Sequence, residues 1–507
     1  MFPQKEKLKQ NIIANFVGQG ISFLVGIVVV PFYIRYLGIE GYGLVGFYAI
    51  LQSVFNSFLD FGFSVTINRE LARFTASPDN NQTLDLVRTI EIGYWLIGLV
   101  LGILVCLSAP LVSLYWLNPE TISSSTIQTA VFIMGVITFV QWPLTLYQGG
   151  LLGLQKMVML NILNAILMVL RGAGGILVLR FYPIVTAFFI WQLTISVLQV
   201  GLTAVLLWRN LPISDYSPRF TFSLLKNIWR FAAGMTATSF FSFFADYGGR
   251  ILLSKILSLE YFGYYSLATT LNDQLQLISA PIHRALFPQF STLVAKNDNE
   301  ALRNLYHKAS QYVSVSILPI IGTVVVFASE LIFIWTQDIN IMNKVAPIAA
   351  LLFMGTIFSS LAGVPYTLTL AYGWAKPGFY RAVIAFFLLI PLTIIMSLRY
   401  EGVGAAFAWT LFNFGYLIMF PTLIHRKLLM TEFRYWAMMD IGIPVFVSSF
   451  ILVAVSWVVP ADLSMIQIVF IVPLVFVLVF VCTFLVAHDI RGSVITYLKR
   501  VLSVKYI

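Results

Sequence analysis

Long apolar stretches, separated by short polar breaks, run the length of the chain without the every-second-residue alternation of a half-buried strand. Fourteen stretches have about the ~20 residues a helix needs to cross a bilayer, with cores at 11–34, 42–63, 90–115, 126–150, 157–179, 184–207, 230–254, 261–285, 309–335, 346–371, 378–398, 403–424, 438–459 and 466–487. Backbone polar groups find no water in hydrocarbon, so only helices or a closed barrel can span it. The continuous pattern selects helices. Prolines and polar residues interrupt the seventh to ninth stretches.

Composition agrees. Apolar residues make up 59% of 507 and charged residues 10%, against about 25% charged in soluble domains; mean hydropathy is +0.89. Lys5, Lys7 and Lys9 precede the first run, but Ile12 to Ile34 is too long for a signal-peptide core, so an uncleaved first span is expected. Across the fourteen spans, twenty-three Lys and Arg fall on one side, while the other receives Arg35, Arg180, Lys255, Lys344 and Arg399. The positive-inside rule then puts both termini in the cytoplasm. The net charge of +10 is accounted for by topology and anionic headgroups rather than nucleic acid. Cys106 and Cys482 lie in apolar runs, and His283, His307, His425 and His488 show no metal-ligand spacing. No phosphate-binding G-x-x-x-x-G-K-[ST] loop occurs, so no built-in ATPase and no cofactor is expected.

The chain repeats itself. YLGIEGYGLVGFYAILQSVF (Tyr36 to Phe55) returns as ILSLEYFGYYSLATTLNDQL (Ile256 to Leu275), placing Glu40 on Glu260, Gly43 on Gly263, Gln52 on Asn272 and Asn56 on Gln276. LGLQK, ending at Lys156, matches YGWAK, ending at Lys376, and RFYPIVTAFF from Arg180 matches RYEGVGAAFA from Arg399. The repeated unit holds six spans. An even number re-enters the membrane in the same orientation, which predicts two lobes related by a pseudo-two-fold axis along the membrane normal. The expected architecture is all-α and integral to the membrane: a six-helix lobe in 1–220, a second in 221–430, and an extra helix pair with a cytoplasmic tail in 431–507.

RYLGIEGYGLVGFYAILQSVFNSFLDFGFSVTINRELAR, Arg35 to Arg73, resembles the N-terminal signature of bacterial polysaccharide-transport proteins. These are the O-antigen or lipid-linked oligosaccharide flippases of the multidrug/oligosaccharidyl-lipid/polysaccharide exporter superfamily. The resemblance implies an inner-membrane protein without catalytic residues. Such a protein moves undecaprenyl-diphosphate-linked oligosaccharide from the cytoplasmic to the periplasmic leaflet by alternating access. Coupling to a proton or sodium gradient is an implied option. The implied partners are the lipid-linked cargo, membrane lipids, a polysaccharide polymerase and a chain-length regulator. The extra helix pair would either form a groove for the lipid tail or simply pack. A drug or cation exporter of the same superfamily is the alternative, although the first span offers Asn15 and Gln19 but no acid. A membrane polymerase is disfavoured by the short periplasmic loops.

Ionisable groups inside spans are costly and mark candidate sites. Asp246 and Arg250 share a helix face at i, i+4, either as a self-neutralising pair or as a cavity wall. Asp273, flanked by Asn272 and Gln276, marks the most polar point of any span; with Gln52 and Asn56, these amides would either bond between helices or present donors and acceptors to sugar hydroxyls. Arg171, beside Gly172, Gly174 and Gly175, could grip a diphosphate bidentately or snorkel to an interface. Arg284 would meet the diphosphate on entry or anchor at the interface.

Overall fold

The computed structural model describes residues 2–58, 63–74, 81–211, 217–460 and 463–492, with side chains described outside 2–17, 19, 56–58, 63–65, 74 and 224–240. Among these residues there is no strand, only an isolated bridge between Asn118 and Ser258. Among the described residues ten helical segments are long and apolar enough to cross a membrane.

Two of the ten are broken, each where two expected spans meet. Gly38 interrupts the first with φ 72° and ψ 170°, a left-handed backbone that a residue without Cβ adopts freely. Tyr400 and Glu401 interrupt Lys376–Leu428. Helices Phe222–Ile256 and Leu259–Ala295 overlie the seventh and eighth expected spans.

The chain forms two compact units, Met1–Gly263 and Tyr264–Ile507. In the first, the short helix Phe63–Phe74 buries Ile67 and Leu71, four residues apart on one face. They pack with Leu84, Ile90 and Tyr94 of Asn81–Leu111, with Leu146 and Leu151 of the Leu144–Gly153 helix, and with Leu207. Arg69 and Arg73 of the short helix stay outside.

The copied residues of the repeat have a structural use in this unit. Glu40 is buried, and its carboxylate accepts backbone N–H groups from Glu120 (2.6 Å), Thr121 (2.9 Å) and Ile122 (3.2 Å) as well as the Thr121 hydroxyl. Gly43 lies against the Leu259 carbonyl, and Gly263 against the Ile39 carbonyl; a Cβ on either would collide with that oxygen. Residues 39 and 43 are the repeat mates of 259 and 263. The contact is therefore reciprocal, as local two-fold symmetry requires.

The repeat is also visible in turns. Lys156 N–H to Leu151 C=O (2.9 Å) and Gln155 N–H to Leu152 C=O (3.0 Å) close one helix in a Schellman motif. Trp374 to Thr369 and Gly373 to Leu370, both 2.9 Å, close another. Gln155 and Gly373 are the left-handed residues. Gly373 thus takes the place of Gln155, a separation of 218, whereas LGLQK and YGWAK align at 220. Backbone geometry fixes this equivalence, and the matching letters here sit two residues out of phase.

In the second unit the helix Asn299–Val326 is heavily buried, and the Asp298 carboxylate caps its start by accepting from Ala301 N–H at 3.1 Å. The extra pair, Ile443–Val458 and Met465–Val486, packs on it. Phe327, Leu452, Val475 and Val479 form one contact cluster; Val315, Ala487 and Ile490 form another. Ser464 and Gln467 start the last helix with a reciprocal capping box.

Candidate functional site

Arg171 lies near the middle of the apolar helix Met157–Phe181. The glycines beside it let neighbours close in. A Cβ on Gly172 would sit 2.8 Å from Val25 and Val29, one on Gly175 would sit 2.8 Å from the Tyr33 hydroxyl, and one on Gly174 would collide with the Trp191 ring. Trp191 Nε1 and the Tyr33 hydroxyl donate to the Arg171 carbonyl at 3.2 and 3.4 Å.

The guanidinium is held by neutral groups. It donates to Gln192 Oε1 at 2.8 Å and to Gln199 Oε1 at 3.0 Å, and it bonds to the buried Tyr48 hydroxyl. Gln199 donates onward to Asn164 Oδ1 at 3.4 Å. Among the described residues no carboxylate reaches it. Guanidinium carries five N–H donors, so this frame orients the charge and leaves donors for an anion. Gln192 and Gln199 are seven residues apart on Val185–Asn210, hence on one helix face. That spacing inside an apolar run was the available sequence signal for them.

Gln52 lies one turn beyond Tyr48 on the same face, about 6 Å further along the axis at ~1.5 Å per residue. It lines a half-open cleft with Phe55, Tyr94, Thr138, Gln141, Trp142 and Thr145. Among the described residues Gln52 Nε2 and Trp142 Nε1 are buried without an acceptor, while Gln141 donates to Ser196 Oγ at 2.7 Å. The Met1–Gly263 unit thus joins a cationic group to amide, hydroxyl and aromatic groups. The Asn56 side chain lies outside the described residues.

The remaining candidates are more dispersed. Arg250 is half-buried with its guanidinium 5.9 Å from the Tyr247 ring centre, and Asp246 is exposed. In the other unit, Asn272 is buried and accepts from the Thr356 hydroxyl at 2.7 Å. Asp273 beside it is half-buried, and Gln276 and Arg284 are exposed.

Two polar clusters have no counterpart in the sequence-level reading. Glu91, buried in Asn81–Leu111, accepts from Tyr147 Oη (2.8 Å), Trp208 Nε1 (3.1 Å) and Arg88 (2.7 Å). In the second unit His307, Gln311 and Ser314 of Asn299–Val326 bond to Asp440, at the start of the extra pair. The Asp440 partners stand more than 120 residues away and Tyr147 and Trp208 stand 56 and 117 from Glu91, so only the Arg88–Glu91 pair, at i, i+3, has a local spacing.

The two-unit helical architecture is that of multi-pass membrane transporters. The structure "Lipid II flippase MurJ, inward closed conformation" superposes with a TM-score of 0.71 at 14% identity, covering 93% of this chain and 97% of that one. An inward-facing multidrug resistance MATE family transporter of the MOP superfamily gives 0.62 at 14% identity, over 82% and 99%. At such identities the likeness establishes the fold. In sequence, the chain is 25% identical over 412 residues to a "Putative O-antigen transporter" of Shigella flexneri, covering 79% of this chain and 94% of the relative. A protein of the same designation from Escherichia coli (strain K12) is 23% identical, over 80% and 94%. A family of polysaccharide biosynthesis proteins matches residues 33–339. The chain belongs to that polysaccharide biosynthesis protein family.

Proposed function

We propose that this protein flips undecaprenyl-diphosphate-linked oligosaccharide from the cytoplasmic to the periplasmic leaflet of a bacterial inner membrane, for O-antigen or another surface polysaccharide. It does so as a transporter, without catalysing a covalent step. The observation that carries this reading is Arg171: a guanidinium in an apolar span, oriented by two glutamines and a tyrosine and unmatched by a described carboxylate. A buried cation without its counter-ion is strongly unfavourable, and a diphosphate supplies that counter-ion with bidentate geometry. Along the same face, Gln52 and the Trp142–Tyr94 cleft offer donors and aromatic faces suited to hydroxylated sugars. Arg250, Asp246 and Asn56 of the same unit, and Asn272, Asp273, Gln276 and Arg284 of the other, are the further substrate-binding residues of this reading. Transport draws on a proton or sodium gradient in this reading. The polymerase and chain-length regulator of the same pathway are the proposed partners.

The test is complementation of a strain lacking its oligosaccharide flippase, with protein level followed by immunoblot. Arg171→Gln lowers surface polysaccharide on the order of tenfold to a hundredfold, the worth of one charge-assisted hydrogen bond. Arg171→Lys keeps the charge, loses the fork and falls between. Arg250→Ala and Asp273→Ala each abolish export at unchanged protein level. Normal export by Arg171→Gln would remove the diphosphate site, and normal export by the other two would remove those residues from this reading.

A further inference from the structure

A histidine clamped between two carboxylates stands where the extra helix pair meets the rest of its unit. His307 is 7% exposed and Asp440 fully buried. Nδ1 lies 2.6 Å from Asp440 Oδ2, and Nε2 lies 3.3 Å from Glu432 Oε2. A neutral imidazole has one N–H, so one of these contacts would set lone pair against lone pair. The arrangement therefore needs a second proton, either on the imidazole or on one carboxyl.

The surroundings fix where that proton sits. On the histidine's own helix, Arg303 Nε lies 3.6 Å from Glu432 Oε1, and the Tyr306 ring lies 5.5 Å from the imidazole. From the end of Lys376–Leu428, His425 meets the Tyr306 hydroxyl at 3.1 Å and its own Pro421 carbonyl at 2.7 Å. From the connecting segment, the Tyr435 ring lies 4.7 Å from His307. Beyond the last helix, Asp489 accepts from Gln311, which also donates to Asp440, both at 2.9 Å, and His488 lies 3.6 Å from Asp489. Three carboxylates thus surround one guanidinium and the clamped imidazole, a balance that retains a proton on the ring. Burial works against the Glu432 carboxylate, but Thr431, His307 and Arg303 together hold it below the usual glutamate range. Protonation of Glu432 itself therefore breaks these contacts only on the acid side, as pH falls through the lowered value, and a loss on the alkaline side has to come from the imidazole proton. Among the described residues, no set of three His, Cys, Asp or Glu ligands could hold a metal.

We propose that His307, Asp440 and Glu432 form a proton-binding site whose occupancy controls docking of the segment 429–435, the link to the extra helix pair. With the proton bound, imidazolium bridges both carboxylates and pins the link. When the proton leaves, Asp440 at the shorter contact keeps the remaining N–H, and the Nε2 lone pair repels Glu432. The partly exposed glutamate then swings out with its segment. Arg426, Lys427 and Arg434 flank the site, so in the proposed topology it reads cytoplasmic pH. The site stands whatever the cargo.

Hydrogen–deuterium exchange of the full-length protein in lipid nanodiscs, followed over 429–443 and corrected for intrinsic rates, tests this. From about pH 5.5 to 8.5, the range in which imidazole ordinarily titrates, protection of the segment falls about tenfold in the unaltered protein. Glu432→Gln flattens the profile, because the amide can either accept from Nε2–H or donate to its lone pair. His425→Gln keeps the original profile. A flat profile in the unaltered protein overturns the proposal. So does a pH dependence that survives Glu432→Gln or vanishes in His425→Gln.

Discussion

Glu40 shows what a single charge does when the backbone surrounds it. Three N–H groups and a hydroxyl converge on its two oxygens, an acceptor-only arrangement that suits a carboxylate. Glu40→Gln turns one acceptor into a donor facing donors. It is expected to cost about 1–3 kcal/mol, read as a lower Tm of the detergent-purified protein, with no effect expected from Glu120→Gln, whose side chain is solvent-exposed. The repeat marked Glu40 as a residue worth copying, although spacing alone could not say that residues 120–122 would bind it. Arg171 was legible for a simpler reason: a guanidinium in an apolar run has to be used or shielded. His307 was not legible, because Asp440 is brought to it by tertiary packing across 133 positions.

Among the elements, the helices followed from continuous apolar runs and the breaks from local chemistry. Gly38 and the Tyr400–Glu401 pair divide what hydropathy alone would join. Close helix crossings depend on residues that leave no volume. Gly43→Ala would drive a methyl into the Leu259 carbonyl, and backbone cannot yield as a flexible side chain can. The expected cost is about 1–3 kcal/mol of overpacking, measured by thermal unfolding. Gly93→Ala, with nothing within 4 Å of the added carbon, is the neutral control and gains helix propensity. The 218-residue turn equivalence marks where legibility stops. Two positive-φ positions can be filled by Gln or by Gly, so geometry persists after the letters have drifted.

For the molecule as a whole, the topology is the expectation with the widest reach. Alkaline phosphatase fused after Lys156, Lys296, Lys376 or Lys427 should be inactive, and fused after Arg180 or Lys344 active, because the enzyme matures only outside the cytoplasm and Lys and Arg favour the inner face. Activity at Lys156 or Lys376 would overturn the assigned topology. Span existence and the repeat were readable because both are patterns along the chain, whereas the polar frame around Arg171 assembles four separate helical stretches. The reciprocal glycine contact adds something about origins. If Gly43 occupies against residue 259 the same station that Gly263 occupies against residue 39, a half-length ancestor carrying one such motif could have seated it against an identical molecule. Fusion would then have made permanent a homodimer already in use, after which either half was free to acquire its own charge, as Arg171 records.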